Sequence, residues 1–304
     1  STLMRSSAAS DVYKRQYLIR PKHIEVQILG DNYGNIVHLY DRDCSVQKNN
    51  QKVIEFAPAW TISDEIRKKI LDSAKRLARR VGYTNAGTME FLVDEEENPY
   101  FIEMNPRIQV EHTVTEMITG IDIVICQILV AEGYPLNSPN IHIYSQNEVK
   151  SIGYSIQVRI TTEDPSNHFL PDHGKIDLYR SSAGNGIRLD GVIAYTGAVI
   201  TAHYDSLLVK LVSHDRTFAG AIRKSVRALK EFRIHGIQTN MTFLINVLNH
   251  EVFQKGKCYT TFISETPELI EMHNKLDRTT KILEFLANKM VNVNPCLLYT
   301  SDAA

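Results

Sequence analysis

The stretch FIEMNPRIQVEH, residues 101–112, decides how the chain is to be read. Glu103, Asn105, Arg107, Gln109 and Glu111 fall two apart, with Ile102, Met104, Ile108 and Val110 among the residues between them. An extended chain sends alternate residues to opposite faces. The spacing therefore predicts five polar side chains in file along one side of a strand. A solvated strand face is commonly filled with Lys, Thr and Ser, whereas this one carries two carboxylates, two amides and a guanidinium.

Upstream, GTMEFLV (87–93) and PYFIEMN (99–105) read as strands around the acidic turn DEEEN. If that turn closes a symmetric hairpin, Glu90 lies directly opposite Glu103. Two facing carboxylates repel unless a cation lies between them. Oxygen-only ligands favour Mg²⁺ or Mn²⁺, and Asn105 offers a third oxygen. The competing reading is a solvated acidic hairpin. Beyond the metal ligands, Arg107 can hold an oxyanion in a two-pronged fork. Gln109 can bond a small planar ligand, and Glu111 can serve as a base. A metal site leading into an anion clamp and a base suits phosphoryl transfer; an Arg–Glu ion pair tying down a loop is the plainer alternative.

A second polar file, His23, Glu25 and Gln27, alternates with Ile24, Val26 and Ile28. It reads as pocket lining, with a solvated strand face as the alternative, rather than a zinc site, because no third good ligand is evident in the sequence. Lys52, in SVQKNNQKVIE, is placed to contact phosphate or another anion, although most lone lysines are surface charge.

The bulk properties exclude several classes. Of 304 residues 43% are hydrophobic and 23% charged, which suits one or two globular domains. The net charge of −1 offers no basic field for nucleic acid or an anionic membrane. Cys44, Cys126, Cys258 and Cys296 are scattered, so neither a zinc site nor a disulfide framework is indicated, and a reducing cytoplasm fits best. The longest apolar run, IDIVICQILVA at 121–131, is too short to span a bilayer.

Hydrophobic period predicts a hairpin from 23–29 and 36–41, then a helix from Ser63 to Val81 with Ser63 as N-cap and Gly82 as its end. A helix at about 119–133 follows, stopped by Gly133 and Pro135. After a polar linker at 136–150, GYSIQVRIT, GKIDLYRS and GIRLDG read as strands, and helices are expected near 216–232, 238–249 and 278–291. The class is α+β with antiparallel strands. Residues 1–16 and 296–304 show no apolar period and are expected to be non-native scars. The expected divisions are then 17–135, the linker 136–150, 151–265, and a following linker at 266–295.

RPKHIEVQILGD, RDCSVQKNNQKVIEFAPA, FIEMNPRIQVEHTVTEMITGIDIV and RITTEDPSNHFLPDHGKI together resemble the biotin carboxylase component of biotin-dependent carboxylases, an ATP-grasp ligase. Later stretches, among them TTFISETPEL and DRTTKILEFLANKMVNV, resemble its pyruvate carboxylase branch. The fold so implied is the C-terminal part of an ATP-grasp domain followed by the biotin carboxylase C-terminal domain. The resemblance implies that Glu90 and Glu103 bind the Mg²⁺ or Mn²⁺ carrying ATP phosphates, with Asn105 beside them, and that His23, Gln47 and Asn50 lie near the nucleotide. It implies that Glu111 deprotonates bicarbonate to form carboxyphosphate, that Lys52, Arg107, Gln109 and Val110 hold the anion, and that Arg159 stabilises the ureido oxygen of biotin. The implied partners are a biotinyl carrier domain and a carboxyltransferase domain on the same longer chain, with homo-oligomer contacts through 151–265, no nucleic acid and no membrane.

Departures accompany the likeness. Asn50 stands where the family often has histidine, and Val192, Ile193, Ala202 and His203 are unusual for their strand. The Gly-rich phosphate lid is absent from the sequence, so the chain alone is expected to be catalytically inactive. Two alternatives remain open: the free subunit of an acetyl- or propionyl-CoA carboxylase, and a non-catalytic binding or assembly module with a relict site.

Overall fold

A computed structural model describes residues 17–191, 194–201, 203, 205–271 and 278–292. The expected scars at 1–16 and 296–304, Cys296, Val192, Ile193 and Ala202 lie outside the described residues. The chain divides into two units, 1–270 and 271–304. The second contains the helix Arg278–Asn292, where a helix was expected; Leu283, Phe285 and Met290 are exposed on it.

In the first unit, period-two sequences form the strands β1 (Lys22–Gly30), β2 (Ile36–Lys48), β3 (Gln51–Ala57), β4 (Asn85–Val93), β5 (Pro99–Asn105), β6 (Tyr154–Thr161), β7 (Ile187–Gly191) and β8 (Leu207–Asp215). They join in one antiparallel eight-stranded sheet in the order β7-β8-β6-β3-β2-β1-β4-β5. The sheet thus crosses the expected boundary at 136–150. Within that segment Leu136, Ile141, Ile143 and Val149 are buried in a core with Leu29, Val37 and Leu39.

Alternation sorts the two faces of the sheet. Ile24, Val26, Ile28, Met89 and Phe91 pack against the helix α1 (Asp64–Arg80), which Ser63 caps as expected. At the other end Ile54, Phe56, Ile156, Val158 and Leu211 pack against α4 (Phe218–Glu231) and α5 (Met241–Asn249), the two later helices foreseen in the sequence. The opposite face carries Glu25, Gln27, Arg42, Glu55, Thr88, Glu90, Gln157 and Lys210, all buried. Two helices lie beyond it: α2 (His112–Thr119), whose Thr113 and Thr115 bond Gln157 and Arg42, and α3 (Ile123–Ala131).

Three expectations need correction. The helix expected at 119–133 is the shorter α3, and α2 before it was not foreseen; Gly120 adopts a left-handed φ of 71° and ends α2, and the two helices meet at a 97° bend. The polar file does not continue as one strand: β5 stops at Asn105, the next residue is Pro106, which has no N–H for a ladder, and Glu111 is already the N-cap of α2. The hairpin is not symmetric either. Glu90 does face Glu103, but a bulge follows, and Phe91 faces Phe101.

Candidate active site

Beneath α2 the polar face of the sheet gathers four cations, Lys52, Arg42, Arg159 and Lys210, with the carboxylates of Glu25, Glu55, Glu90 and Glu111. Lys52, on β3, is at the centre. Its Nζ donates to Glu111 Oε1 at 2.7 Å and Glu90 Oε1 at 3.4 Å, and also to Glu25. Burial works against the Lys52 charge, but the surrounding anionic groups, Glu25 and Glu111 among them, outweigh it and hold its pKa above the ordinary lysine value. Arg159 on β6 binds Glu55 (Nε to Oε1, 2.7 Å) and Glu111 (Nη2 to Oε2, 3.1 Å). The two oxygens of Glu111 are therefore each held by a different cation. Glu55 is fully buried, and that burial raises its pKa despite Arg159 beside it.

Glu90 collects bonds from four residues: His23 Nε2 at 2.7 Å, Asn105 Nδ2 at 2.8 Å, Gln109 Nε2 at 2.7 Å and Lys52. Burial pushes its carboxyl up, but the His23 bond and the Lys52 charge push it further down, to about 2. Asn105 also donates to Glu103 Oε1 at 3.1 Å, so one amide nitrogen bridges the two facing carboxylates. That nitrogen marks a point both carboxylates reach, and an oxygen-rich pair of this kind fits a hard divalent cation. Glu103 itself is solvent-exposed.

Arg42 is the most connected of the residues that the sequence did not reveal. A fully buried guanidinium on β2, it donates to Glu25, Gln27 (2.8 Å), Thr115 (3.1 Å), Thr88 (3.1 Å) and Gln109 (3.2 Å). Its signal in the sequence, a charged Asp-Arg-Asp run inside an otherwise strand-like stretch, resembles a surface edge. A bulge makes the difference. Tyr40 has φ 66°, and the register shifts between Val26 and Ile28. Had the pairing of Ile28 with His38 continued, Glu25 would face Asp41; the extra residue brings Arg42 opposite it. Glu55, Gln157 and Lys210 were missed for the same reason, since their partners lie far away in sequence.

Most residues named from the sequence converge, with one exception. His23 and Gln47 bond each other (Nδ1 to Nε2, 2.6 Å), and both line a cavity of about 870 Å³ together with Asn50, Glu90 and Glu103. Asn49 and Asn50 form the tight β2–β3 turn with φ 49° and 63°, a conformation asparagine tolerates better than most residues. A smaller cavity of about 150 Å³ lies against Lys52 and Arg159. The Val110 carbonyl accepts from Lys210 Nζ at 3.2 Å. Arg107 does not join the cluster: it is exposed, and among the described residues its Nη1 donates only to the neighbouring Ile108 carbonyl, at 3.2 Å. Glu90 supplies the third ligand atom that the sequence did not reveal beside His23 and Glu25, and the three lie within 4.8 Å of one another. Lys52 already bonds both carboxylates. Cys44, Cys126 and Cys258 are free and buried.

Residues 1–139 match the family model described as carbamoyl-phosphate synthase L chain, ATP binding domain, and residues 157–265 match the biotin carboxylase C-terminal domain. Pyruvate carboxylase of Aspergillus niger is 54% identical over 92% of this chain, and that of Bacillus subtilis 55% over 94%. The chain spans only 23% and 25% of those two relatives. Among solved structures, Rhizobium etli pyruvate carboxylase superposes with a TM-score of 0.84 at 48% identity, over 90% of this chain and 27% of that one. The biotin carboxylase domain of Hydrogenobacter thermophilus 2-oxoglutarate carboxylase, in complex with MgADP, ADP and bicarbonate, gives 0.81 at 43% identity, over 85% of this chain and 55% of that one. The chain belongs to the biotin carboxylase family, of which it carries part of the ATP-grasp domain and the C-terminal domain.

Proposed function

We propose that the intact protein containing this chain carboxylates biotin with bicarbonate and ATP, as the first half-reaction of a pyruvate carboxylase. The observation that carries the reading is Glu111, held by Lys52 on one oxygen and Arg159 on the other, with one cavity beside Glu90 and His23 and another beside Lys52 and Arg159. The larger cavity suits a nucleotide. Glu90 and Glu103 would hold Mg²⁺, with Asn105 turned to offer its oxygen. The metal, when bound, supplies charge neutralisation at the transferring phosphate.

The chain's own residues do the rest. Glu111 accepts the bicarbonate proton, so that the oxyanion attacks the γ-phosphorus and ADP leaves with carboxyphosphate formed. Lys52 and the Gln109 amide hold that anion. Carboxyphosphate breaks down to CO₂ and phosphate, the phosphate takes the proton from biotin N1, and N1 adds to the CO₂; Arg159 directs its guanidinium to the ureido oxygen, which gains charge as that proton leaves. Arg107, exposed as it stands, would have to swing inward to contact the anion. Biotin would arrive on a carrier domain of the same longer chain and pass its carboxyl to pyruvate on a carboxyltransferase domain, with oligomer contacts through 151–265.

The test is bicarbonate-dependent ATP cleavage by the intact protein, followed as ADP release. Glu111→Gln should lower turnover about 10²- to 10⁴-fold, the usual contribution of a positioned base. Turnover in Glu111→Gln equal to wild type would sink the assignment of the base. ATP cleavage indifferent to bicarbonate would sink the reaction.

A further inference from the structure

We propose that Arg42, His112 and Lys210 are positioning residues that turn the loop 108–110 into a surface of hydrogen-bond donors, and so select a small planar oxyanion. The inference rests on the bicarbonate-dependent reaction proposed above and concerns how the same site recognises that substrate. None of the three residues touches the cavity contents in this account. They act on the loop from behind.

Between β5 and α2, residues Ile108, Gln109 and Val110 present three backbone carbonyls and one side-chain carbonyl oxygen. Each is already occupied. The Ile108 carbonyl accepts from Arg107 Nη1 at 3.2 Å. The Gln109 carbonyl accepts from the His112 backbone N–H at 3.2 Å and from His112 Nδ1 at 2.7 Å. A carbonyl cannot donate, so Nδ1 must carry the proton. The Val110 carbonyl accepts from Lys210 Nζ at 3.2 Å, and Gln109 Oε1 accepts from Arg42 Nη2 at 3.2 Å.

With its oxygen held, the Gln109 amide has only its NH₂ to turn toward the site. One N–H goes to Glu90 Oε1 at 2.7 Å, and the second remains for a ligand. Among the described residues no hydrogen bond takes up the Val110 N–H. Donors with no competing lone pairs favour an anion, whose oxygens accept, over a ligand that must donate to the same loop. The orientation is locked because Arg42 is fully buried with donors committed to five residues. Flipping Gln109 would set its NH₂ against the guanidinium and leave a buried charged donor unpaired. Lys210 is fixed likewise: Asp190 holds its ammonium at 3.2 Å, and it pairs across the ladder with Arg159, so neighbouring cations on one face hold Val110 and Glu111.

The experiment compares wild type with Lys210→Met, Lys210→Arg and Arg42→Lys in the intact protein. Lys210→Met keeps the apolar stem and removes the donor; Arg42→Lys keeps the charge near Glu25 and removes the Nη2 donor to Gln109. Two readouts are taken: the KM values for bicarbonate and ATP, and direct binding of ¹³C-bicarbonate by NMR. Loss of one hydrogen bond of a charged group corresponds to an expected rise of about 10- to 100-fold in the bicarbonate KM and dissociation constant. The ATP KM should stay within about twofold, and Lys210→Arg should restore most of the affinity. Unchanged bicarbonate affinity in a folded Lys210→Met protein overturns the proposal, whatever becomes of Arg42→Lys. Equal weakening of ATP and bicarbonate overturns it too, since that is what loosened structure would do. If wild type binds bicarbonate and Lys210→Met does not, but neither cleaves ATP, the positioning role stands and the proposed reaction fails.

Discussion

Lys52 bonds three carboxylates that would otherwise face one another beneath α2. Glu90, the best connected of them, has a folded-state pKa of about 2 against an ordinary 4.5. A depressed carboxyl contributes stability that is fully present above its unfolded pKa. That contribution is lost as pH falls from about 4.5 toward 2. Removing the ammonium should therefore raise the Glu90 pKa and move the acid-unfolding midpoint to higher pH. At neutral pH Lys52→Met should cost about 3–5 kcal/mol, the usual consequence of breaking a buried charge pair by deleting one partner. Acid titrations monitored by circular dichroism read the midpoint directly. A variant that unfolds at the same pH as wild type would show that Lys52 does not hold Glu90 ionised.

At the scale of elements, single residues in unusual backbone conformations set which side chains meet. The Tyr40 bulge brings Arg42 opposite Glu25, and Gly120 lets α2 end over the polar face before α3 departs at 97°. Gly120 has φ 71° with open space around an added Cβ, so a substitution there is a backbone test free of clashes. Gly120→Ala should destabilise by about 1–2 kcal/mol, the left-handed penalty for an L-residue. In a unit of this size that lowers the melting temperature by about 2–4 °C per kcal/mol. A melting temperature equal to wild type would mean the α2–α3 corner relaxes without strain.

For the first unit as a whole, the decisive feature is that one sheet joins the two family-matched segments. β3 pairs with β6 through Ile54↔Val158 and Phe56↔Ile156, and the same residues build one core with α4 and α5. Splitting them would expose that core and unpair a long strand edge. Hydrogen exchange in the intact protein should therefore show β3 and β6 amides opening together with a common free energy. Separate opening free energies for the strands before 136 and after 150 would show that the segments fold as independent bodies.

Much of this was legible in the residues themselves. The periods of β1, β4, β5, β6, α1 and α4 and the Ser63 cap follow from local patterning, because alternation and capping act over a few neighbouring positions; the opposition of Glu90 and Glu103, though expected, depends on the bulge beside Phe91. The motif around Gln109 and Glu111 likewise carries, without coordinates, the chemistry proposed above. What only the tertiary structure decided is which charges share a space. Pro106 and the start of α2 broke the polar file that alternation predicted, yet Asn105, Gln109 and Glu111 still converge, because the loop folds over the sheet rather than extending along it. Arg107, identical in promise on the page of sequence, points to solvent. Arg42, Glu55 and Lys210 carried no signal of burial in the sequence because a buried ion needs its counter-ions in space, and theirs come from strands 17, 104 and 20 residues away. Pairing at such separations depends on sheet order and on a one-residue bulge, and neither has a signature in local sequence.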